Sequence, residues 1–248
     1  MKKSLILYMA LVFVIISCSS EQDSSQKTTQ IDSDSDKISS SQTEISSGRI
    51  NIAVEDLAKW QFLGIGSVGI DAAEHAVVLA EGEDSKGVTI VSPESYGTHV
   101  TLTFKVKPLT YESVNVVMLS VSDKDSGGDI KVPAAYDGNF NFWTQENVQN
   151  YVFAFHNAAH DRTPFIQKSP GGLAIASAPE NITGERWFDI EIARHGKHLI
   201  MKIDGKTVVE GTDPDSAGLP GGKICFRMRG TPGNAAKALF RDVVIQQH

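Results

Sequence analysis

Short segments in which apolar and polar residues alternate run along most of this chain. The clearest is Val100–Lys107, where the alternation is unbroken, a pattern typical of a β-strand with one face in a core and the other in water. Glycine, proline and acidic residues separate the segments, and only residues 56–62 suggest a short helix or turn. The other predicted strands cover 114–122, 140–145, 151–156, 173–177, 187–194, 199–204, 223–229 and 239–245. The spacing predicts an all-β sandwich or jelly roll, as one domain over residues 49–248.

One predicted strand carries a dense group of reactive side chains. Tyr151, Phe153 and Phe155 fall on one face, and Val152, Ala154 and His156 fall on the other. We expect the aromatic face to pack in the core and the opposite face to form the floor of a ligand cleft.

The chain then leaves this strand for a loop, where functional groups are often displayed. His156, His160, Asp161 and Arg162 follow within seven residues. We therefore predict a catalytic site in which His156 or His160 acts as general acid or base and Arg162 holds an anionic substrate. Tyr151 is a further candidate for proton transfer.

The strand 223–229 places cations on one face. Ile224, Phe226 and Met228 alternate with Lys223, Cys225, Arg227 and Arg229. If this strand lies beside the His156 strand on the concave sheet, Arg227 and Arg229 form a basic floor that pairs with a carboxylate or sulfate. The alternative is a solvated face with ion pairs to acidic neighbours. The first interpretation requires the side chains of His156 and Arg229 to point into the same cleft.

Further binding candidates are Lys168 and the aromatic residue Trp143, which could stack on a sugar ring or belong to the core. No metal is expected at His156 and His160, because their spacing converges only on a helix. No cofactor is required by this interpretation. A structural calcium in the aspartate- and glycine-rich segment 123–129 is the alternative, although Ala134 stands where a closing glutamate would be needed.

The first 48 residues do not resemble a folded domain. Lys2 and Lys3 precede an apolar run, 5–16, of the length of a secretory signal, and residues 15–18, Ile-Ile-Ser-Cys, resemble the lipobox of bacterial lipoproteins. We expect a signal peptide over 1–17, lipidation of Cys18, and a polar tether over 18–48 with 11 serines between positions 19 and 47. The domain would then be lipid-anchored in the bacterial cell envelope. The alternative is a plain signal peptide.

Charge and cysteine content exclude some classes of function. The whole chain has a net charge of -7. Residues 49–248 hold 19 basic and 24 acidic side chains, a net charge of -5, which argues against nucleic acid as a partner. With Cys18 committed to the anchor, Cys225 is expected to be a buried apolar residue.

The C-terminal half resembles known families. The predicted hairpin 187–205, the strand 222–227 and the segment Leu239–Asp242 together look like the concanavalin-like jelly roll of carbohydrate-binding and carbohydrate-cleaving proteins. With the segment Gln167–Gly171 before them, their order is similar to the YesU family, which accompanies bacterial use of pectin and rhamnogalacturonan. A weaker similarity is to 3-keto-disaccharide hydrolase domains. These resemblances imply a carbohydrate partner and supply no catalytic residues.

Two functions follow as expectations. The first is an enzyme acting on acidic polysaccharide, either a polysaccharide lyase or a glycoside hydrolase. In a lyase, an arginine of the predicted site neutralises a uronate carboxylate while a histidine or Tyr151 takes the C5 proton. A hydrolase needs two carboxylates, and Asp189 and Glu191 are the weak candidates. The second function is a non-catalytic glycan-binding lipoprotein.

Overall fold

The computed structural model describes residues 48–145, 147–156, 160 and 162–248. The predicted signal, Cys18 and most of the predicted tether lie outside these residues, as does Asp161. The described chain forms the strands β1 (Arg49–Ile52), β2 (Gln61–Gly64), β3 (Gly66–Asp71), β4 (Ala76–Glu81), β5 (Val88–Tyr96), β6 (His99–Pro108), β7 (Val114–Asp123), β8 (Val148–Phe155), β9 (Phe165–Ser169), β10 (Leu173–Ser177), β11 (Phe188–His195), β12 (His198–Ile203), β13 (Lys206–Thr212), β14 (Gly222–Arg229) and β15 (Lys237–Gln247). Two short helices, α1 (Val54–Leu57) and α2 (Asn141–Thr144), interrupt them. None of the helices in the described part of the chain has the length and apolar composition needed to cross a bilayer.

The strands form two antiparallel sheets. The eight-stranded sheet has the order β13-β12-β11-β6-β15-β4-β3, and β1 also pairs with β15. The seven-stranded sheet has the order β10-β9-β8-β7-β14-β5-β2. The predicted all-β sandwich is confirmed, and some neighbouring strands, such as β6 and β15 or β5 and β14, come from distant parts of the sequence.

The main core lies between the two sheets, and aromatic rings occupy its centre. Phe226 of β14 lies 4.8 Å from Phe104, 5.3 Å from Phe240 and 5.7 Å from Trp60, measured between ring centroids. Ile224 and Met228 belong to the same core, as do Tyr151, Phe153 and Phe155 of β8. The predicted inward faces of β14 and β8 are therefore confirmed.

A second apolar cluster covers part of the outer face of the seven-stranded sheet. It contains Met118, Val152 and Cys225 from the sheet, and Phe142 and Trp143 from α2. The prediction of a strand over 140–145 is wrong, because this segment forms a helical turn that buries Phe142 and Trp143 side by side against the sheet. Cys225 is fully buried as predicted, and burial raises the pKa of its thiol.

The predicted hairpin over 187–205 is present as β11 and β12. Its strands pair from Ile190 opposite Ile203 to His195 opposite His198. The chain then turns back into β13 through Asp204 and Gly205, whose φ angles are 51° and 76°. A two-residue hairpin loop with both central residues at positive φ fits the right-handed twist of the flanking strands, which explains the Asp-Gly sequence there.

Candidate functional site

A cleft of about 480 Å³ opens on the outer face of the seven-stranded sheet. Its floor and one of its walls follow a row of residues that lie directly opposite one another on four neighbouring strands. Phe165 of β9 is the partner of Ala154 of β8, Ala154 is the partner of Val116 of β7, and Val116 is the partner of Arg227 of β14. Because paired residues in antiparallel strands share a face, the register alone aligns a mostly apolar floor with an arginine at one end.

Arg227 is almost completely buried beside this cleft, with 2% of its surface exposed. Its Nη2 donates a hydrogen bond to the carbonyl oxygen of Lys86 at 2.9 Å, and its guanidinium lies 5.0 Å from the ring centroid of Phe140. Nη1 is also buried and has no hydrogen-bond partner among the described residues. The space is available because residue 87 is glycine: a Cβ there would overlap both terminal nitrogens of Arg227.

The charge of Arg227 is poorly compensated. Burial is the main cause that lowers the pKa of Arg227, and Arg229 lowers it further, whereas Tyr136 and Glu81 act in the opposite direction. Glu81 forms no ion pair with Arg227, and its Oε2 instead accepts hydrogen bonds from the backbone N–H groups of Gly230 and Ala236 at 2.6 and 2.9 Å. A desolvated arginine with so little compensation is a strong attractor for an anion.

The cleft also holds three of the other predicted site residues. Arg229 follows Arg227 on the same face of β14, and His160 and Arg162 approach from the connection between β8 and β9. Partial burial lowers the pKa of His160, and the positive charges of Arg229 and Arg162 lower it further. The described residues that line the cleft include these arginines and this histidine but no carboxylate.

His156 is not in the cleft, and the expectation that it shares a hollow with Arg229 is wrong. It is 1% exposed, and its Nδ1 lies 3.2 Å from both the hydroxyl and the carbonyl oxygen of Ser113. The reason is its backbone: β8 ends at Phe155, and His156 has a φ of 48°. Alternation with period two holds only in extended chain, so the ring turns away and lies 6.2 Å from the ring of Phe188 in the core. Burial lowers the pKa of His156.

Tyr151 and Lys168 belong to a structural network elsewhere in the sandwich. Tyr151 is fully buried, and its hydroxyl donates to Oδ2 of Asp213 at 2.6 Å and accepts from the N–H of Leu219 at 3.1 Å. The Lys168 ammonium lies 2.9 Å from Asp213 and 2.5 Å from Asp215. Both groups are therefore occupied in holding the segment after β13, and neither lines the cleft.

Three other candidates are also placed away from the cleft. Trp143 is fully buried, and its Nε1 donates to the Tyr136 hydroxyl at 2.6 Å, so it is not available to stack on a sugar. Asp189 and Glu191 lie on β11 of the eight-stranded sheet and pair with Lys105 and Lys202 at 3.5 and 2.8 Å. These carboxylates are on the sheet opposite to the cleft.

The aspartate-rich segment after β7 is organised by hydrogen bonds of its own. Asp123 Oδ1 accepts from the N–H and the hydroxyl of Ser126, both at 2.9 Å. Asn147 donates to Asp125 at 2.9 Å, and Asp129 pairs with Lys223 at 3.3 Å. This pairing places the ammonium of Lys223 outside the cleft, so only Arg227 and Arg229 of the predicted cation face contribute to the cleft floor.

Sequence reasoning missed several residues that shape the cleft. Phe140 and Phe165 form apolar walls, Val116 forms part of the floor, and Gly87 makes room for the guanidinium of Arg227. The apolar run of β7 was the sequence feature that could have identified Val116 as a residue of the cleft. Nothing in the local sequence connects Gly87 with Arg227, because that contact depends on the pairing of β5 with β14.

Replacing Arg227 with methionine tests whether this arginine costs stability. Methionine removes a buried, poorly compensated charge and loses one hydrogen bond to a carbonyl, so we expect the free energy of unfolding to stay within about 1 kcal/mol of the original or to rise. The matched control is Arg194→Met. Arg194 is equally buried, but it donates to the carbonyl oxygens of Gly196 and Pro220, both at 2.8 Å. Losing it should cost about 3 kcal/mol or more. Urea unfolding measures both, and equal losses would contradict the assignment.

Comparisons with known proteins bear on the fold. No protein-family model and no curated protein sequence matches this chain. Among solved structures, a Bacillus subtilis protein of unknown function with a galectin-like fold has a TM-score of 0.69 at 18% identity, covering 80% of this chain and 94% of that one. The carbohydrate-binding module CBM66 from Bacillus subtilis has a TM-score of 0.52 at 16% identity, covering 77% and 98%. A Bacillus licheniformis β-glucanase has 0.53 at 10%, covering 82% and 99%. The chain thus has a galectin-like and concanavalin-like jelly-roll fold.

Proposed function

We propose that this protein binds a carbohydrate that carries carboxylate or sulfate groups, and that the ligand lies in the arginine-lined cleft of the seven-stranded sheet. The observation that carries this proposal is the charge of the cleft: Arg162, Arg227 and Arg229 line it together with no carboxylate among the described lining residues. Arg227 is the centre of this arrangement because its charge is buried and poorly compensated. A planar anion offers the guanidinium groups the bidentate geometry they favour.

A sugar ring also matches the apolar part of the cleft. Phe140 and Phe165 form its walls, and Ala154 and Val116 leave a flat floor between them. Apolar and aromatic side chains with a few placed polar groups are typical of small-ligand sites, and the volume falls in their usual range. The fold is shared with a carbohydrate-binding module and a β-glucanase, which supports carbohydrate as the class of ligand. The resemblance to the YesU family stays a prediction.

Among the described residues that line the cleft there is no pair of carboxylates to support hydrolysis. That mechanism needs an acid and a second carboxylate flanking the glycosidic bond. The candidate pair, Asp189 and Glu191, lies on the other sheet in ion pairs with lysines.

A polysaccharide lyase is the second candidate, and the position of His160 favours it. This imidazole lies in the cleft with Arg162 and Arg229, and its pKa is lowered, so it is neutral and able to accept a proton at neutral pH. An arginine would neutralise a uronate carboxylate and acidify the neighbouring C5–H. His160 would take that proton, the C4–O bond would break as the C4=C5 double bond forms, and the leaving oxygen would be protonated by the imidazolium or by water.

The binding proposal is tested by titrating tetragalacturonate into the protein in a calorimeter. We expect Arg227→Gln to weaken binding by roughly tenfold or more, because a hydrogen bond to a charged group contributes about 1.5–3 kcal/mol. Arg186→Gln is the control, since it removes the same charge from an exposed arginine paired with Asp204 at 2.6 Å. The methyl-esterified oligosaccharide should bind poorly to the original protein. Equal binding of the ester, or an unchanged affinity for Arg227→Gln, would refute the proposal.

The pH dependence separates a binder from a lyase. If the protein only binds, affinity for tetragalacturonate should rise as the pH falls from 7 through the lowered pKa of His160, because the imidazolium adds a positive charge to the cleft. If it is a lyase, absorbance of the unsaturated uronate should appear, and its rate should rise with pH through the same pKa, because the base must be neutral. His160→Gln should abolish either dependence. A rate that persists in that variant would exclude His160 as the base.

We further propose that Cys18 anchors the protein in the bacterial cell envelope, on the strength of the signal-like sequence before it. The anchor would hold the carbohydrate-binding domain outside the cytoplasm. Expressed in a bacterium, the protein should partition into the detergent phase of Triton X-114, and its mass should include a lipid on Cys18. The variant Cys18→Ala should partition into the aqueous phase. Aqueous partitioning of the original protein would favour the plain signal peptide.

A further inference from the structure

Four histidines form a row at one end of the eight-stranded sheet, far along the chain from one another. His195 of β11 is the direct partner of His198 on β12 and of His99 on β6. His248, which follows β15, donates its backbone N–H to the carbonyl oxygen of His99 at 3.0 Å. Because the sheet order is β12-β11-β6-β15, the four histidines lie side by side at one end of these neighbouring strands.

These side chains lie on the outer face of the sheet. The residues next to them in sequence, Val100 and Leu199, belong to the core between the sheets, and successive residues of a strand point to opposite faces. The row therefore faces away from the sandwich interior and from the cleft, which is on the other sheet.

Three of the rings lie close together. The ring centroid of His195 is 5.5 Å from that of His248 and 6.4 Å from that of His99. When two imidazoles bind one tetrahedral Zn²⁺ with metal–nitrogen distances of about 2.0–2.1 Å, their ring centres are about 5 Å apart. In the described residues, no three His, Cys, Asp or Glu side chains already converge on a metal position. His99, His195 and His248 are exposed, so their side chains have room to rotate, and binding one ion would require them to do so.

The hydrogen bonds at His99 and His248 suit this role. Nδ1 of His99 contacts the hydroxyl of Thr98 at 3.1 Å, and Nε2 of His248 contacts the hydroxyl of Thr101 at 3.0 Å. Each threonine engages one ring nitrogen and leaves the other for a ligand, as outer-shell partners do at metal-binding histidines. His198 differs, because its two nitrogens contact Glu210 and Thr212 at 3.0 and 3.4 Å.

We propose that His99, His195 and His248 bind a first-row transition metal ion, such as Zn²⁺, with water completing the coordination. Imidazole ligands select zinc, nickel and copper over the hard cations calcium and magnesium, which prefer oxygen. The site is separate from the carbohydrate cleft and does not depend on the function proposed for it.

Calorimetric titration of the full chain, purified without an affinity tag, with zinc chloride tests the proposal. We expect saturable binding of one Zn²⁺ per chain and no saturable binding of Ca²⁺. Loss of an outer-shell partner alone lowers metal affinity about 10- to 100-fold, so His195→Gln and His248→Gln, which each remove a ligand, should weaken binding by about tenfold or more. His75→Asn is the matched control, because His75 lies in the turn between β3 and β4, outside the row, and its loss should leave the affinity unchanged.

Two results would overturn the proposal. The first is the absence of saturable heat with Zn²⁺ in the original protein. The second is binding to His195→Gln and His248→Gln that is as tight as in the original, which would place the metal elsewhere. Because the two variants alter different strands, a folding defect in one still leaves the other to decide. Tetragalacturonate binding should be the same with and without Zn²⁺, which keeps this test independent of the cleft.

Discussion

The register of antiparallel pairing is the constraint on which both candidate sites depend. Arg227 reaches the cleft floor because it lies opposite Val116, and Val116 lies opposite Ala154. The histidine row arises in the same way, since His195 lies opposite both His99 and His198. A slip of one residue in either sheet would move these side chains to the other face and place core residues in water. The packing of the apolar core therefore fixes the positions of both candidate sites.

The surroundings of Arg227 show how the fold tolerates a charge that it does not satisfy. Its guanidinium has one carbonyl acceptor from Lys86, and Gly87 and Phe140 shape the space around it. Arg194, buried to the same degree, instead donates to the carbonyl oxygens of Gly196, Pro220 and Leu219. Arginine thus holds neighbouring backbone in place at position 194. At position 227 its Nη1 has no hydrogen-bond partner among the described residues. Unsatisfied buried polar groups are uncommon in native proteins, and each one deserves an explanation.

The sequence predicts the sandwich and much of the strand content, because alternation reports which face of a strand is buried. It correctly assigns Phe226 to the core and Arg227 to the opposite face, and it brings His160, Arg162, Arg227 and Arg229 into one site. It fails at His156, where a positive φ ends the alternation. It also fails for Trp143, since an apolar pattern six residues long does not distinguish a short strand from a helical turn lying on a sheet. The role of Gly87 could not be predicted, because it depends on a contact between strands distant in sequence.

The cleft is positive although the chain as a whole is acidic, with a net charge of -7. The overall field therefore repels a polyanion at long range and does not accelerate its approach. If the proposed ligand is correct, its attraction comes from short-range contacts with the arginines, and the low dielectric around Arg227 makes a contact there stronger and less sensitive to salt than an exposed pair. Such an arrangement would favour selection between similar sugars over fast capture. A charged group would fit where its oxygens meet the guanidinium groups, and a neutral sugar would leave the charge of Arg227 uncompensated.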